Sequence, residues 1–353
     1  MRASQRPVEL SIVICSHNGE RVLPGALRSV LRQSLSAGRF EVIVVDDGSS
    51  DRTAAVARAA GATVVRLSPN RGLAGARNAG VSAARAPIVA FTDDDCDPNS
   101  DWLAAIVAAF ADPNVDVVGG RLVPGPGGTF NQRYLLRRNP LVPLGADLLR
   151  SHRPLDRLVM YLKRIVRGPP AIVGGDGLYS VVGANMAWRR ELIARLGGFD
   201  EAFRFGGEEE DLCRRAHDLQ AGIVYAPSAT VVHHFGPGLT DTLRRSRAYG
   251  RGNARLALKH ASVRPIVYPG PVLVLGALAS GLIGRRWGLA ALGLLAPLAT
   301  YPRWTLDARS TGSPEPLAYP YVELAQETLT MIGELDGWRA GYVEIEAEQL
   351  APT

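Results

Sequence analysis

The first hundred residues alternate short β-branched apolar runs with stretches that have helical periodicity. This alternation is typical of a parallel sheet whose strands are joined by crossover helices. The apolar runs predict strands at 8–15, 40–45, 62–67 and 87–92, and the intervening stretches predict helices at 21–33, 51–60 and 72–84. We therefore predict an α/β fold with a mostly parallel sheet flanked by helices.

After about residue 100 the alternation of predicted strands and helices becomes less regular. A helix is expected at 102–110, strands are expected at 115–123 and 223–232, and a helix is expected at 212–220. Beyond about residue 240 the chain becomes first basic and then apolar. This shift predicts one domain over 1–240, with halves at about 1–125 and 126–240, and a helical C-terminal region over 241–353.

Polar or glycine residues follow three of the predicted strands at the point where each strand ends. They are the segments 16–19, 46–49 and 93–95. In open α/β sheets, ligands bind at the carboxyl ends of the strands. The layout therefore predicts a nucleotide or phosphate site along this edge.

Composition excludes several classes of protein. The chain has 353 residues, of which 46% are hydrophobic and 21% are charged, so it is neither a disordered tail nor collagen-like. A net charge of +6 is modest, and a nucleic-acid binder normally has a denser basic surface with interleaved aromatics. We expect no nucleic-acid partner.

The positive charge is concentrated in two segments. Residues 131–170 contain nine basic and two acidic residues, and residues 241–260 contain six basic residues against Asp241. Such segments favour an anionic membrane or a phosphorylated substrate, and the alternative is a solvated helix face.

The cysteines and the N-terminus indicate a cellular compartment. Cys15, Cys96 and Cys213 are odd in number and lack CxxC spacing, which favours a reducing setting. The N-terminal apolar run has the length of a strand rather than that of a signal peptide. We expect the catalytic region to lie in the cytosol.

The tail contains two uncharged segments. Nineteen residues at 266–284 are followed by Arg285 and Arg286, and then by sixteen residues at 287–302. A spanning helix needs about 20 apolar residues, so a hairpin or interfacial anchor fits as well as two crossings. Two crossings would also place both arginines on the far side, against the positive-inside tendency. We expect membrane association, and the alternative is a helical pair buried in a domain core or a homo-oligomer.

Asp93, Asp94 and Asp95 follow a predicted strand directly. Three adjacent carboxylates repel one another unless a cation neutralises them, and such oxygen ligands suit Mg²⁺ or Mn²⁺. The alternative is the acidic N-terminus of the helix that follows, because Asp97 and Ser100 also favour a helix cap.

Two loops contain candidates for nucleotide contacts. The segment 46–51 offers carboxylates that can accept hydrogen bonds from a base or ribose, or it forms a capped strand-to-helix turn. The segment 70–80 combines glycines with Arg71 and Arg77, which can meet a diphosphate. The alternative for this segment is close packing of a helix on the sheet.

Four carboxylates at 208–211 follow two glycines at the start of a predicted helix. Acidic residues there stabilise the helix dipole, but like-charged neighbours can also raise a carboxylate's pKa toward that of a general base. His233 and His234 end an apolar strand, and each is either a metal ligand or a core histidine.

Taken together, these segments resemble the family 2 glycosyltransferases, which have the GT-A fold. The resemblance covers about residues 9–234. It is carried by an ordered set of motifs: SIVICSHNG, EVIVVDDGSSD, NRGLAGARNAG, IVAFTDDDCDP, VVGANMAWRRELIARLGGFDEAF, GGEEEDLCRR and HH. Each motif is common alone, whereas the ordered set is specific.

The resemblance implies a role for each matched residue on the donor side. The backbone of Cys15 and the side chain of Asp47 would hold the base of a nucleotide sugar. Asp93 and Asp95 would form the DXD metal pair, with Asp94 as the alternative in a second register. The implied donor-binding set is Cys15, His17, Asp47, Arg77, Asp93 and Asp94.

On the acceptor side, the resemblance implies that Glu209 is the general base, with Glu208 as the fallback. His233 matches a metal ligand of some members, and His234 is the alternative. The implied acceptor contacts are Asn185, Trp188 and Asp211, although Trp188 fits a core position equally well.

The QxxRW motif of processive members such as cellulose synthases does not follow Asp211. We therefore expect an inverting, non-processive hexosyltransferase that acts on a saccharide or a lipid-linked acceptor at the cytoplasmic face of the membrane. One rival is a sugar nucleotidyltransferase, which ordinarily needs a glycine-rich phosphate loop that 16–19 does not supply. The other rival is a catalytically silent scaffold that binds sugar nucleotides.

Overall fold

The computed structural model describes residues 8–141, 154–168, 180–260 and 268–350. The chain forms two compact units. The first, which we call the sheet unit, comprises Met1–Gly127, Leu141–Ala146 and Ile172–Phe235. The second, the helical unit, comprises Gly128–Pro140, Asp147–Ala171 and Gly236–Thr353. The helical unit therefore includes residues 128–140, which lie inside the single domain that we predicted over 1–240.

One eight-stranded sheet forms the centre of the sheet unit. Its strands are β1 (Leu10–Ser16), β2 (Phe40–Asp46), β3 (Thr63–Arg66), β4 (Ile88–Asp93), β5 (Cys96–Pro98), β6 (Val117–Pro124), β7 (Asn185–Arg189) and β8 (Ile223–His233). The spatial order is β3-β2-β1-β4-β7-β6-β8-β5. β2 pairs in parallel with β1 and β3, as do β1 with β4 and β6 with β8, whereas β7 is antiparallel to β4 and β6, and β5 is antiparallel to β8.

The helices are numbered along the chain. Those of the sheet unit are α1 (Leu23–Leu31), α2 (Thr53–Ala59), α3 (Gly72–Ala83), α4 (Trp102–Ala109), α7 (Arg190–Arg195) and α8 (Glu208–Asp218). Those of the helical unit are α5 (Phe130–Arg138), α6 (Pro154–Arg167), α9 (Leu239–Lys259), α10 (Pro269–Ile283), α11 (Trp287–Thr300), α12 (Pro302–Thr311) and α13 (Tyr319–Leu350).

Both faces of the sheet are buried. Along β1, Ile12 and Ile14 belong to one apolar cluster, and Val13 belongs to the cluster on the opposite face. A near-continuous apolar run is what a strand covered by helices on both sides requires. On the Val13 side α3 packs closely at Gly80, where a Cβ atom would meet the Val13 side chain. The predicted α/β class is confirmed.

The helical unit contains the predicted C-terminal helices. α9 packs against α13 at small residues: a Cβ atom at Gly250 would meet the Thr330 carbonyl, and one at Gly333 would meet the Arg247 carbonyl. α10 and α11 form most of the described part of the two predicted apolar segments. Residues 266 and 267, at the start of the first segment, lie outside the described ranges. Among the helices described, none combines the length and the apolar character that a membrane crossing requires.

Candidate active site

The parallel register of β1, β2 and β4 brings their carboxyl ends together. Ser16 of β1 lies opposite Asp46 of β2, and Cys15 lies opposite Asp93 of β4. The three polar segments that we singled out in the sequence therefore meet at one edge of the sheet.

Asp47 is almost fully buried at this edge and holds the start of α3. Its Oδ1 accepts a hydrogen bond from the backbone N–H of Arg71 (2.7 Å), and its Oδ2 accepts one from Gly72 (2.9 Å). Gly72 has a φ of +78°, which favours glycine. The carboxylate thus caps a helix that begins 25 residues later in the chain, a role that the sequence analysis did not predict.

Polar groups and a cavity lie beside Asp47. His17 Nδ1 lies 2.9 Å from the Asp47 carbonyl oxygen, which also accepts a hydrogen bond from Asn70 Nδ2 (2.8 Å). Nearby, the ends of β2 and β3 border a cavity of about 440 Å³ that is lined by Gly48, Ser49, Arg66, Leu67 and Ser68.

The side chain of Asp94 and those of Asp93 and Asp95 make contacts with different groups. The carboxyl group of Asp94 accepts a short hydrogen bond from Ser16 Oγ, and burial raises the pKa of Asp94 to about 7. Asp93 and Asp95 instead approach Cys96 and His233, and ligand atoms of these four residues all lie within 4.8 Å of one another. Of the two registers considered for the metal pair, the structure brings together Asp93 and Asp95.

The pairing of β5 with β8 creates this cluster, because Cys96 lies directly opposite His233. His233 Nε2 lies 3.5 Å from Asp95 Oδ1. His233 Nδ1 is buried and has no hydrogen-bond partner among the described residues. Two carboxylates and an imidazole with an unpartnered nitrogen suit Mg²⁺ or Mn²⁺. Burial raises the pKa of Cys96 well above its ordinary value, which keeps this thiol protonated.

His234 lies outside the cluster and pairs with another carboxylate. Its Nε2 lies 2.7 Å from Asp97 Oδ2, and its backbone N–H donates to the Asp95 carbonyl (2.9 Å). Ser29 Oγ donates to the other oxygen of Asp97 (2.8 Å). His234 therefore fastens β5 to the end of β8, whereas His233 faces the aspartates.

Glu208 begins α8 and is buried in an ion pair with Arg77 of α3. Arg77 Nη1 donates to Glu208 Oε1 (2.7 Å), and both side chains are almost completely inaccessible to solvent. The guanidinium also packs over the Phe199 ring at 5.6 Å. A Cβ atom at Gly183 would overlap this guanidinium, so glycine is needed for the close approach. Arg77 is thus enclosed by protein, and the predicted contact with a diphosphate does not follow from its position.

Glu209 is half-buried and follows Glu208 directly. Burial is the main cause that raises the pKa of Glu209 well above its ordinary value, and the neighbouring charge of Glu208 raises it further, whereas Arg77 opposes the shift. Its Oε2 has no hydrogen-bond partner within the described ranges. A carboxylate with a raised pKa and an unpartnered oxygen is suited to accept a proton from a hydroxyl group.

Asn185 and Trp188, two of the predicted acceptor contacts, are buried on β7. Asn185 Oδ1 accepts a hydrogen bond from Trp102 Nε1 (2.8 Å), and Trp188 Nε1 lies 3.2 Å from Met186 Sδ. Trp188 belongs to a core cluster and is completely inaccessible to solvent. Both residues therefore stabilise the sheet, and the predicted contact with an acceptor does not follow from their positions.

Asp211 is also fully buried. Its Oδ2 lies 2.7 Å from Arg215 Nη2, one helical turn along α8. Arg215 donates in addition to the carbonyls of Leu196 (2.6 Å) and Gly198 (2.8 Å). The pair fixes α8 to the loop that follows α7, so the predicted acceptor contact of Asp211 does not follow from its position either.

Cys96 and Asn70 lie at the site although the sequence analysis assigned them no role there. Cys96 directly follows the acidic triplet, and its position next to His233 depends on the short strand β5. Asn70 precedes α3 and bonds the Asp47 carbonyl. Both residues lie within motifs quoted in the sequence analysis, NRGLAGARNAG and IVAFTDDDCDP, and this position was the available signal.

The α/β sheet thus gathers polar strand ends, an aspartate pair and a carboxylate at a helix start, which is the arrangement that the sequence motifs predict. The family model "Glycosyl transferase family 2" matches residues 11–195. The chain belongs to this family, as the motifs indicated.

Two curated relatives have names that include glycosyltransferase. "Pre-mycofactocin glycosyltransferase" of Mycobacterium tuberculosis is 32% identical over 275 residues, which is 76% of this chain and 53% of the relative. "Glycosyltransferase AglE" of Haloferax volcanii is 33% identical over 133 residues, 35% of this chain and 43% of the relative. The chain spans about half the length, or less, of these relatives.

The fold is also similar to that of a solved protein. "Mannosyltransferase PcManGT from Pyrobaculum calidifontis in complex with GDP-Man and Mn2+" aligns with a TM-score of 0.55 over 94% of this chain and 90% of that chain, at 20% identity. This likeness supports the predicted GT-A fold.

Proposed function

We propose that the protein is a metal-dependent, inverting glycosyltransferase that moves a sugar from a nucleoside-diphosphate sugar to an acceptor hydroxyl. One observation carries the proposal: ligand atoms of Asp93, Asp95, Cys96 and His233 all lie within 4.8 Å of one another, at the edge of the sheet where β1, β2 and β4 end. The ion pair of Arg77 with Glu208 holds the start of α8, where the candidate base Glu209 lies, against α3. Family membership and the names of the curated relatives support the same activity.

The donor nucleotide binds at the edge that β1 and β2 form. The cavity beside Gly48 accommodates the base, and the backbone of Cys15 with the side chains of His17 and Asp47 orients it. Asp47 keeps this edge rigid because both of its carboxylate oxygens bond to the start of α3.

Asp93, Asp95 and His233 would hold a divalent cation, Mg²⁺ or Mn²⁺. A cation held there would neutralise negative charge on the diphosphate leaving group. Ser16 keeps the side chain of Asp94 turned away from the other two aspartates. The paired Asp97 and His234 keep β5 against β8, and so keep Asp95 near His233.

Glu209 is the general base. It takes the proton of the acceptor hydroxyl, whose oxygen forms a bond to the anomeric carbon as the bond from that carbon to the diphosphate oxygen breaks. Attack from the face opposite the diphosphate inverts the configuration. Glu208, which is paired with Arg77, lies beside Glu209, and its negative charge raises the pKa of Glu209.

We further propose a hexosyl donor and a saccharide or lipid-linked acceptor at the cytoplasmic face of a membrane. The basic and apolar segments of the helical unit support this location, and the three unpaired cysteines support a reducing compartment for catalysis.

The test is a panel of nucleotide sugars with Mn²⁺ in which the released product is identified. Release of a nucleoside diphosphate with formation of a glycoside is expected. Release of pyrophosphate would indicate a sugar nucleotidyltransferase instead, and donor binding without any product would indicate a scaffold.

The metal site has a separate test. Asp95→Ala should weaken Mn²⁺-dependent donor binding in a calorimetric titration, because one of two carboxylate ligands is removed. Asp101→Ala, at an exposed aspartate before α4, is the matched control and should bind as the wild type does. Equal Mn²⁺ dependence in all three proteins would exclude Asp95 as a ligand.

A further inference from the structure

The pair of helices α10 and α11 exposes large apolar side chains in the helical unit. Six of these side chains are at least 60% accessible to solvent: Leu273, Ile283, Trp287, Leu292, Leu294 and Leu295. Contiguous exposed apolar surface of this kind marks a site of interaction with a protein or a membrane.

The exposed apolar residues of each helix lie on one broad face. On α10, Val274 and Gly281 are buried on the side opposite Ile283, and on α11 Gly293 and Pro297 are buried opposite Leu295. Successive residues are about 100° apart around a helix axis, so Leu292 and Leu294 stand at the two edges of the face on α11. Lipid can cover a face of this width, and the charges described below favour a bilayer over a second copy of the chain.

α6 adds an amphipathic helix to the same unit. Its exposed apolar positions, Leu155, Leu158, Leu162 and Val166, recur every three or four residues. Such spacing places them along one face of a helix. Tyr161 and Ile165, which lie to one side of this face, are buried.

α6 packs beside the start of α10. The rings of Tyr161 and Tyr268 are 6.3 Å apart, and a Cβ atom added to Gly270 would lie 2.7 Å from the Tyr161 hydroxyl. The helix that carries these exposed apolar positions is therefore in contact with the start of α10.

The charges around this surface complement anionic headgroups. Residues 269–300 contain no acidic residue, and exposed Arg285 and Arg286 join the two helices. On α6, Lys163 and Arg167 are exposed next to the apolar positions. Trp287 follows the two arginines, and tryptophan is enriched where membranes meet water.

The surface is anchored to the unit by hydrogen bonds. Tyr321 of α13 donates to the Leu294 carbonyl (3.0 Å), and Tyr161 of α6 donates to buried Glu327 of α13 (2.9 Å). The apolar side chains are thus presented by packed helices.

We propose that α6, α10 and α11 form one surface that lies in the plane of an anionic bilayer and inserts its apolar side chains among the lipids. This inference deepens the proposed membrane location and rests on it. The 15 residues of α10 extend about 22 Å, less than the hydrocarbon thickness of about 30 Å. In this orientation Arg285 and Arg286 can reach the headgroups.

The first test measures sedimentation of the full chain with vesicles of phosphatidylcholine alone and with 30% phosphatidylglycerol, as a function of salt. We expect stronger binding to the anionic vesicles, and binding that weakens as salt increases. Replacing both arginines, Arg285→Gln with Arg286→Gln, should weaken anionic binding about tenfold to thirtyfold.

Apolar variants test the surface itself. Leu273→Glu with Leu294→Glu, and separately Leu158→Glu with Leu162→Glu, should each lower binding by at least about tenfold. Leu31→Glu on α1, an equally apolar exposed position in the sheet unit, is the control and should leave binding unchanged. Circular dichroism verifies that each variant is folded.

A measurement on the wild type tests the depth of insertion without a folding risk. Lipids brominated near the headgroup should quench Trp287 fluorescence more than lipids brominated near the chain ends, and Trp287→Phe should remove this difference. Stronger quenching from the chain ends would overturn the in-plane arrangement.

Two other outcomes would overturn the inference. One is wild-type protein that stays in solution with both vesicle types. The other is a lipid-free dimer that Leu273→Glu with Leu294→Glu dissociates, since the surface would then be an interface between copies. Sugar transfer to a water-soluble acceptor is assayed in parallel, so that loss of the proposed activity is distinguished from loss of membrane binding.

Discussion

The sheet unit and the helical unit distribute their polar and apolar groups in opposite ways. The sheet unit buries apolar strand residues such as Ile12 and Ile14 and gathers its carboxylates at the strand ends. The helical unit buries Glu323 and Glu327, which are at most 2% exposed, while leucines of α10 and α11 face solvent.

The buried carboxylates of the helical unit have partners. Glu327 accepts hydrogen bonds from the hydroxyls of Tyr161 (2.9 Å) and Tyr301 (2.7 Å) and from Arg164 Nη2 (2.6 Å). A buried polar network of this kind is tolerated when its members are satisfied. The difference between the units teaches that, among the described residues, the most exposed large apolar side chains lie in the helical unit, which agrees with the membrane surface that we propose for it.

Two substitutions, one in each unit, test this contrast, and the one in the sheet unit has the largest expected effect on stability. Ile14→Asn should lower the free energy of unfolding by about 4–7 kcal/mol, because it removes core packing and buries an amide. Leu273→Asn should change it by no more than about 0.5 kcal/mol, because the side chain is exposed. Urea unfolding compares the two, and equal losses would contradict the contrast.

Arg77→Met should destabilise the protein by about 3–5 kcal/mol, because it leaves Glu208 as a buried charge without its partner. The matched control is Arg71→Met, since the pair between Arg71 and Glu201 is largely exposed and contributes about 0–1 kcal/mol. Urea midpoints that move equally in both variants would contradict the buried role of Arg77.

The pH dependence of sugar transfer tests the coupling between Glu208 and Glu209. Glu209 must be ionised to act as a base, and burial together with Glu208 raises its pKa. Glu208→Gln removes the negative neighbour, so the acid limb of the pH–rate profile should move to lower pH. Exposed Glu191→Gln should not move it. An acid limb that stays in place or moves upward in Glu208→Gln would argue against Glu209 as the base.

The smallest expected effect concerns a buried acid of the helical unit. Burial raises the pKa of Glu334 to about 7 from an ordinary value of 4.5. Because the folded form binds this proton more tightly, the stabilisation is present below pH 4.5 and is lost as the pH rises to about 7. The Tm of Glu334→Gln relative to wild type should therefore increase between pH 5 and about 7.

A second glutamate is the control for that measurement. Arg133 holds the pKa of Glu315 at about 2, so both its folded and unfolded values lie below this pH window. Glu315→Gln should shift the Tm by an amount that does not vary above about pH 5.5. A constant difference for Glu334→Gln as well would contradict the buried position of its carboxyl group.

Much of the fold was predictable because local pattern and burial agree along the central strands. β1, β2 and β4 begin and end within two residues of the predicted bounds, since each is a continuous apolar run that polar residues terminate. β5 was not predicted, because its three residues form a strand through pairing with β8, which lies more than 120 residues later. β7 lacks β-branched residues and was missed for that reason.

Part of the candidate site was likewise predictable from the sequence, and part was not. The segments that follow β1, β2 and β4 were predictable as neighbours, since parallel strands align their carboxyl ends. The enclosure of Arg77 was not, because it depends on Phe199 and Gly183, which are distant in the sequence. Trp188 shows a further limit, since the same residue pattern suits a core position and a sugar-stacking position.

The most direct test of the central claim measures donor binding and sugar transfer in Glu209→Gln with Mn²⁺ present. If Glu209 is the base, calorimetry should give a donor Kd equal to that of the wild type, while the rate of transfer falls by about 10² to 10⁴. A transfer rate equal to that of the wild type would contradict the account.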